Sequence, residues 1–229
     1  VVARLERKFG VQVDSEDVRV AYRETITAKS SAEGRHKKQS GGHGQFGVAS
    51  IRIEPLPAGS GLEFVDEVTG GAIPRQFITA VEAGVAEAMA HGGSSGYPVV
   101  DVRVAVFDGR HHSVDSSEMS FKMAGRLAFQ EALAGARSVV LEPVMAVEVT
   151  IPSECLGDVM GDLSSRRATV QGSEVDRWGA QVISAMAPEA EMLRYSIDLR
   201  SITGGRGRFT ARHDHYSRVP AGVEVPASP

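Results

Sequence analysis

The chain has 229 residues, of which 42% are hydrophobic and 24% charged, and it carries a formal net charge of −4 at pH 7. This length and composition indicate a folded chain of two domains of roughly 100 to 150 residues each, and they exclude a disordered chain. The acidic balance argues against a protein that wraps nucleic acid through bulk positive charge, so any contact with nucleic acid has to be local.

Residues 1–17 predict the end of a domain whose first part is missing. Apolar residues at helical spacing, the last being Phe9, predict a helix that ends at Gly10, and residues 11–13 predict a short strand. These elements have no partner nearby, and the chain starts with Val1 rather than Met. We therefore expect a piece of a longer protein.

A glycine-rich segment, residues 41–47, lies immediately before a predicted strand. Alternating apolar residues predict strands at 18–26 and 48–53, and four glycines between residues 41 and 47 predict a tight reversal. A nucleotide-binding loop is excluded, because neither G-x-x-x-x-G-K-[ST] nor G-x-G-x-x-G between a strand and a helix is present. Three basic residues that could attract an anionic partner precede the segment: Arg35, Lys37 and Lys38.

The next elements are a strand, a helix and a second strand. The first strand is predicted at residues 62–68, and Pro74 opens the helix. Four apolar residues at spacing four form its buried stripe: Phe77, Val81, Val85 and Met89. Residues 99–107 predict the second strand, and Asp108–Gly109 predicts a turn after it.

A second polar segment, residues 111–118, leads into another helix. Asp115 suits the N-cap and Glu118 the matching capping-box position, so the helix start explains both carboxylates without a catalytic role. If the fold brings this segment to residues 41–47, the two form one exposed tip. The buried stripe of the helix, which Gly135 ends, is predicted to contain Phe121, Ala124, Leu127, Ala128, Met123 and Leu133.

A new unit is predicted to begin at Glu142–Pro143, because proline favours extended structure before it. A strand at 144–151 precedes a helix whose apolar stripe is Leu156, Val159, Met160 and Leu163. A strand from Thr169 turns near Gly172, another spans 181–186, Pro188 opens a helix carrying Met192, Tyr195 and Leu199, and residues 209–213 form the last strand. This order, βαββαβ, predicts a ferredoxin-like split βαβ fold.

Three features bear on compartment and stability. No apolar run approaches the roughly 20 residues of a membrane-spanning helix, and the amino terminus does not resemble a signal peptide. We therefore expect a cytoplasmic protein without membrane contacts. The single cysteine, Cys155, excludes an intramolecular disulfide and a cysteine cluster for zinc, and is predicted to be a buried free thiol.

Seven sequence strings carry a family resemblance. They are YRET at 22–25, KQSGGHGQFG at 38–47, GYPVVD at 96–101, HSVDSSE at 112–118, LEP at 141–143, GDL at 161–163 and LRSITGGRG at 199–207. In this order and spacing they resemble the carboxy-terminal part of translation elongation factor G, from residue 1 to about residue 220.

The resemblance implies an α+β fold with four segments. Residues 1–17 correspond to the incomplete end of domain III, and 18–141 to domain IV, a ribosomal-protein-like βαβ domain. Residues 142–220 correspond to domain V, the ferredoxin-like split βαβ domain, and 221–229 are expected to form a flexible tail. The GTPase domain is missing from the chain, so we expect no cofactor here, with GTP and Mg²⁺ bound by the amino-terminal domain of the full-length parent.

The resemblance also implies which residues touch RNA. In the family the two polar segments enter the small-subunit decoding centre during translocation, where Gln45 and His112 match the residues that contact the codon and anticodon backbone. The implied RNA-binding tip comprises Gly42, His43, Gly44, Gln45, Phe46, His111, His112 and Ser113. Phosphate groups of the RNA would be attracted by Arg35, Lys37 and Lys38. A contact with the large-subunit stalk base and sarcin–ricin loop would be made by Arg200, Arg206 and Arg208. The expected partners are the ribosome, tRNA and mRNA, with the protein itself a monomer.

Some residues depart from the family pattern. Family members commonly have Arg at the position of His43, Tyr at that of His111 and Asp at that of Ser113. They also commonly have Arg at the position of Ser165 and Gly at that of Ala168. One alternative is therefore a divergent paralogue that hydrolyses GTP on the ribosome but translocates weakly or acts in recycling. Another is a stand-alone enzyme that uses His111 and His112. Adjacent histidines without a further ligand do not favour a metal site.

Overall fold

The computed structural model describes residues 7–10, 18–40 and 43–226. Residues 7–9 are helical, and the rest of the predicted helix and the strand at 11–13 lie outside the described residues. The chain divides into two compact units. We call Tyr22–Val144 with His213–Pro229 the larger unit, and the unit built on Met145–Arg212 the smaller unit.

A four-stranded sheet forms one layer of the larger unit. Its spatial order is β2 (Ser30–Ser40), β3 (His43–Pro55), β5 (Val102–Arg110) and β4 (Leu62–Asp66). Strands β2, β3 and β5 are antiparallel neighbours, whereas β4 runs parallel to β5. A short strand, β1 (Arg23–Ile26), pairs with the start of β6 (Ser138–Pro152) instead.

Two helices bury their apolar stripes in the larger unit. A 3₁₀ turn, Arg75–Phe77, leads into α1 (Ile78–His91), and α2 is Glu118–Gly135. The predicted stripe of α1 is confirmed, since all four of its residues are buried. Helix α2 lies so close to β2 that a Cβ on Gly34 would fall 2.0 Å from the Ala124 carbonyl oxygen, so only glycine fits there.

A buried carboxylate holds the loop that follows α1. The Glu24 side chain accepts backbone N–H bonds from Ser95 at 2.9 Å and Tyr97 at 3.0 Å. Farther along the chain, the Tyr97 hydroxyl donates to the Pro226 carbonyl, and Val219 N–H donates to Val140 O at 3.1 Å. Residues 219–226, which include the described part of the predicted tail at 221–229, have neither helix nor strand, yet these bonds attach them to the larger unit.

The smaller unit has the predicted βαββαβ order. Its elements after β6 are α3 (Leu156–Ser165), β7 (Thr169–Val175), β8 (Ala180–Pro188), α4 (Glu189–Met192), α5 (Tyr195–Ile202) and β9 (Arg208–Arg218). In the sheet β6 lies next to β8 and also pairs with β9, while β7 lies outside β8. The core includes Val159, Leu163, Tyr195 and Leu199, and Cys155 is the predicted buried free thiol.

Several predicted boundaries are wrong. Strand β1 begins at Arg23 rather than at residue 18, and β2 was not predicted at all. Residues 44–47, predicted as a loop, belong to β3, which forms a long hairpin with β2. The predicted strand at 99–107 begins instead at Val102.

Glycine positions predicted as turns lie inside strands. Asp108–Gly109 belongs to β5, because a register shift between Ser50 and Ile51 absorbs an extra residue as a bulge and the strand continues. Gly172 similarly lies in β7 beside a register shift. Leu127, predicted to be buried in α2, is 37% exposed. No helix within the described residues is long and apolar enough to cross a membrane.

Candidate functional site

The two polar segments meet at one edge of β3. Phe46 N–H donates to the Asp115 backbone carbonyl at 2.8 Å, and Gly44 N–H donates to Asp115 Oδ1 at 3.1 Å. The Ser116 hydroxyl returns a bond to the Phe46 carbonyl at 2.8 Å. We call the residues so assembled, 36–40, 43–46 and 111–116, the tip. Gly42 lies outside the described residues, and His43 is the first residue of β3.

Asp115 is not the N-cap that the sequence predicts. Ser117 caps α2, with its Oγ accepting from Ser120 N–H at 3.2 Å, and Glu118 is the first helical residue. The Asp115 carboxylate binds Gly44 instead. A Cβ on Gly44 would lie 2.7 Å from Asp115 Cγ, so the missing side chain permits the close approach of the two segments.

His112 presents one nitrogen outward. Its Nδ1 lies 3.2 Å from the Asp115 backbone nitrogen and 3.3 Å from that of Val114, so Nδ1 accepts from these donors. When Nδ1 accepts these bonds, the ring proton is on Nε2; Asp115 Oδ2 also lies 3.4 Å from Nδ1 and would pair with the doubly protonated ring. The ring packs edge-on to Phe46 at a centroid distance of 6.4 Å, and the side chain is exposed. The exposed ring thus offers an N–H donor.

Gln45 is held by a side chain that was not predicted as part of the site. His36 Nε2 lies 2.8 Å from Gln45 Oε1. Gln45 pairs with Lys38 across the hairpin and His36 pairs with Gly47, so His36 and Gln45 are diagonal neighbours on one face. Finding His36 from the sequence required recognising β2 first.

The other predicted tip residues have separate surroundings. His111 Nδ1 lies 3.3 Å from the Ala72 carbonyl oxygen, and Ser113 is exposed. Arg35 makes a 3.5 Å contact with Glu33, whereas Lys37 and Lys38 are exposed. Among the described residues no group of three His, Cys, Asp or Glu could hold a metal ion.

The three predicted arginines of the smaller unit do not form one cluster. Arg206 Nη1 binds Glu154 Oε1 at 2.7 Å, and Arg206 and Arg208 line the same surface cleft. Arg200 is exposed and is not part of that cleft. The cleft also contains Trp178, which was not predicted as a site residue although exposed aromatic residues often mark binding surfaces.

Comparison with known proteins identifies both parts of the chain. The sequence-family model for elongation factor G domain IV matches residues 18–137, and the family model for the elongation factor G C-terminus matches residues 139–224. The chain belongs to the elongation factor G family. Its domains are therefore those of a translation elongation factor, as the sequence resemblance predicts.

Individual relatives agree over almost the whole chain. It is 50% identical over 224 residues to the elongation factor G-like protein of Thermotoga maritima, covering 98% of this chain and 33% of that protein. It is 51% identical over 220 residues to elongation factor G of Aquifex pyrophilus, covering 96% of this chain and 31% of that protein. The chain thus spans about a third of the length of these relatives.

A solved structure supports the fold as well. A crystal structure of a protein from Thermus thermophilus matches with a TM-score of 0.87 and 40% identity, covering 96% of this chain and 33% of that one. The predicted α+β fold class of this elongation factor G family member is confirmed.

Proposed function

We propose that the chain is the ribosome-binding part of an elongation factor G-type translational GTPase, and that its tip contacts decoding-centre RNA while tRNA and mRNA are translocated. The observation that carries the proposal is the junction of the two polar segments through Asp115, which brings Gln45 and the segment containing His112 to the same end of the β2–β3 hairpin, where both side chains are exposed.

The chemistry of these side chains suits RNA of any sequence. The Gln45 amide and His112 Nε2 can donate to phosphate oxygens or ribose hydroxyls, which every nucleotide carries. Exposed Lys37 and Lys38 add local positive charge to an acidic chain. A translocation factor has to accept every codon, so backbone recognition fits the task better than base reading.

The rest of the proposal concerns the full-length parent. GTP hydrolysis with Mg²⁺ would belong to an amino-terminal domain, and the smaller unit would contact the large subunit at the stalk base and sarcin–ricin loop through Arg200, Arg206 and Arg208. The parent would act as a monomer in the cytoplasm, where it meets ribosomes.

A divergent paralogue with weak translocation or a recycling role is the second candidate. It is favoured by His43, where family members commonly have Arg, and by the Thermotoga maritima relative, whose name is elongation factor G-like protein. The enzyme alternative has less support, because His111 and His112 have different hydrogen-bond partners and do not act as a pair.

The decisive experiment measures mRNA movement by the full-length parent on purified ribosomes. The Gln45→Ala, His112→Ala double variant should translocate at least tenfold more slowly, with ribosome-stimulated GTP hydrolysis preserved. Gln76→Ala, a polar change outside the tip, serves as the matched control. An unchanged rate in the double variant would contradict the proposed role of the tip. If the unaltered parent fails to translocate but splits ribosomes, the paralogue alternative is correct.

A further inference from the structure

The single tryptophan of the chain is held exposed on a well-formed turn. Trp178 lies between β7 and β8 and is 73% exposed. Asp176 Oδ1 fixes this turn by accepting N–H bonds from Trp178 at 2.8 Å and Ala180 at 2.9 Å, and Gly179 supplies the positive φ of 81°. The indole is therefore presented to solvent by the fold, although its large apolar surface favours burial.

One arginine packs on this tryptophan, and two more line the same cleft. The Arg177 guanidinium lies 3.9 Å from the ring centroid, a cation–π distance. Trp178, Arg206 and Arg208 together line a surface cleft of about 550 Å³. The cleft thus contains an aromatic ring and two guanidinium groups.

The two carboxylates of the cleft are already occupied. Glu154 binds Arg206, and its pKa is lowered by its own backbone N–H and by Arg206, so it stays anionic in that pair. Asp176 is used by the turn. Arg208, in contrast, forms no ion pair with any residue that the structure describes. The formal charges of the lining residues therefore cancel, and Arg208 is the lining cation whose guanidinium is left to meet an anionic ligand.

We propose that this cleft binds an unstacked nucleotide of single-stranded RNA, with the base against Trp178 and the phosphate on Arg208. Every base has a face that stacks on an aromatic ring, and arginine binds phosphate oxygens through paired N–H donors. Bases inside a duplex are stacked on each other and cannot reach the indole, so a loop or bulge is required. The inference rests on the proposed function, because it specifies the large-subunit RNA contact proposed above for Arg206 and Arg208, and it concerns a different surface from the tip.

Fluorescence of the 229-residue chain tests the site directly, because Trp178 is its only tryptophan. A single-stranded adenosine hexamer should quench the emission saturably at low salt, whereas a blunt RNA duplex of the same length should not. In anisotropy titrations with a labelled hexamer, Trp178→Ala and Arg208→Ala should each weaken binding about tenfold, and Trp178→Phe should retain most of it. Arg194→Ala removes an exposed arginine outside the cleft and should bind normally.

The outcomes separate this site from the tip. Gln45→Ala and His112→Ala should leave the quenching unchanged even if they abolish translocation, so either proposal can fail alone. Equal quenching by the duplex would indicate phosphate attraction without stacking and would overturn the inference. Absence of any response to the hexamer would overturn it as well and would favour a protein partner for Trp178. Thermal unfolding of each variant confirms that the exposed substitutions leave the fold intact.

Discussion

His36 donates from Nε2 to the Gln45 side-chain oxygen over 2.8 Å, which determines which end of the Gln45 amide remains free. With the oxygen occupied by His36, the amide NH₂ group is left to contact an acceptor. The bond joins two exposed strands of a hairpin, so it orients the Gln45 amide and contributes little to the stability of the fold.

Removing the imidazole should therefore free the Gln45 side chain. In His36→Phe we expect faster motion of the Gln45 side-chain amide in ¹⁵N relaxation and a few-fold slower translocation by the full-length parent. His36→Gln, which keeps a donor on the same face, should restore much of the rate. Identical amide relaxation in the Phe variant and the unaltered chain would show that His36 does not orient Gln45.

Adding a methyl group at Gly44 should separate the two segments of the tip. Gly44→Ala places a Cβ within 2.7 Å of Asp115 Cγ, and we expect a loss of about 1 to 3 kcal/mol in the free energy of unfolding. Urea denaturation measures the loss, which should shrink in an Asp115→Ala background because the obstructing carboxylate is gone. Gly161→Ala is the control, since a Cβ there meets nothing within 4 Å and lies in a helix.

Loss of the buried Glu24 carboxylate should destabilise the larger unit. Glu24→Ala leaves the N–H groups of Ser95 and Tyr97 without their acceptor, and we expect about 2 to 4 kcal/mol of lost stability. Hydrogen exchange should accelerate in residues 93–97. Glu63→Ala removes only an exposed ion pair with Arg103 and should cost less than about 1 kcal/mol. Similar losses in the two variants would contradict the role assigned to Glu24.

The Tyr195 hydroxyl is buried without a hydrogen-bond partner among the described residues, unlike that of Tyr97. Burial raises the pKa of Tyr195 above its ordinary value, so the neutral form is favoured in the folded state. Titration of Tyr195 therefore does not reduce the free energy of unfolding below the ordinary tyrosine pKa of about 10. As pH rises from there toward the folded-state pKa, the unfolded chain loses the proton first, and the free energy of unfolding falls.

Tyr195→Phe should accordingly be neutral or slightly stabilising at pH 7, and should reduce the loss of stability above about pH 10. Tyr97→Phe, which deletes a hydroxyl bonded to Pro226 O, should be destabilising at pH 7 by about 1 kcal/mol. Urea unfolding at a series of pH values measures both. A steeper alkaline decline in Tyr195→Phe would contradict the assignment.

Elements with a regular apolar pattern were predictable, and elements shaped by close contacts were not. The stripe through Val81 and Val85 identifies α1 because burial of one helix face imposes the spacing. Strand β2 escaped detection because Gly34, the position that packs directly on the α2 backbone, has no apolar side chain to count. Because the close packing of β2 on α2 requires a glycine, the strand lacks the alternating apolar residues from which a strand is predicted.

The tip was predictable only through the family resemblance. Asp115 and Ser117 are both good N-cap residues, and the contact of Asp115 with Gly44, 71 positions away in the chain, decides between them. Local propensity contains no information about such a distant partner. The His36–Gln45 bond was missed for the same reason, since it depends on the register of an unpredicted hairpin.

The glycine contacts beneath the tip have a mechanical consequence. Backbone meets backbone where Gly34 faces Ala124, and likewise where Gly47 faces Ser120, with a virtual Cβ falling 2.8 Å from the Ser120 carbonyl oxygen. No compliant layer of side chains separates the hairpin from α2 at these points. We expect a force applied at Gln45 to be transmitted through main-chain contacts into the helix, so that the hairpin resists bending.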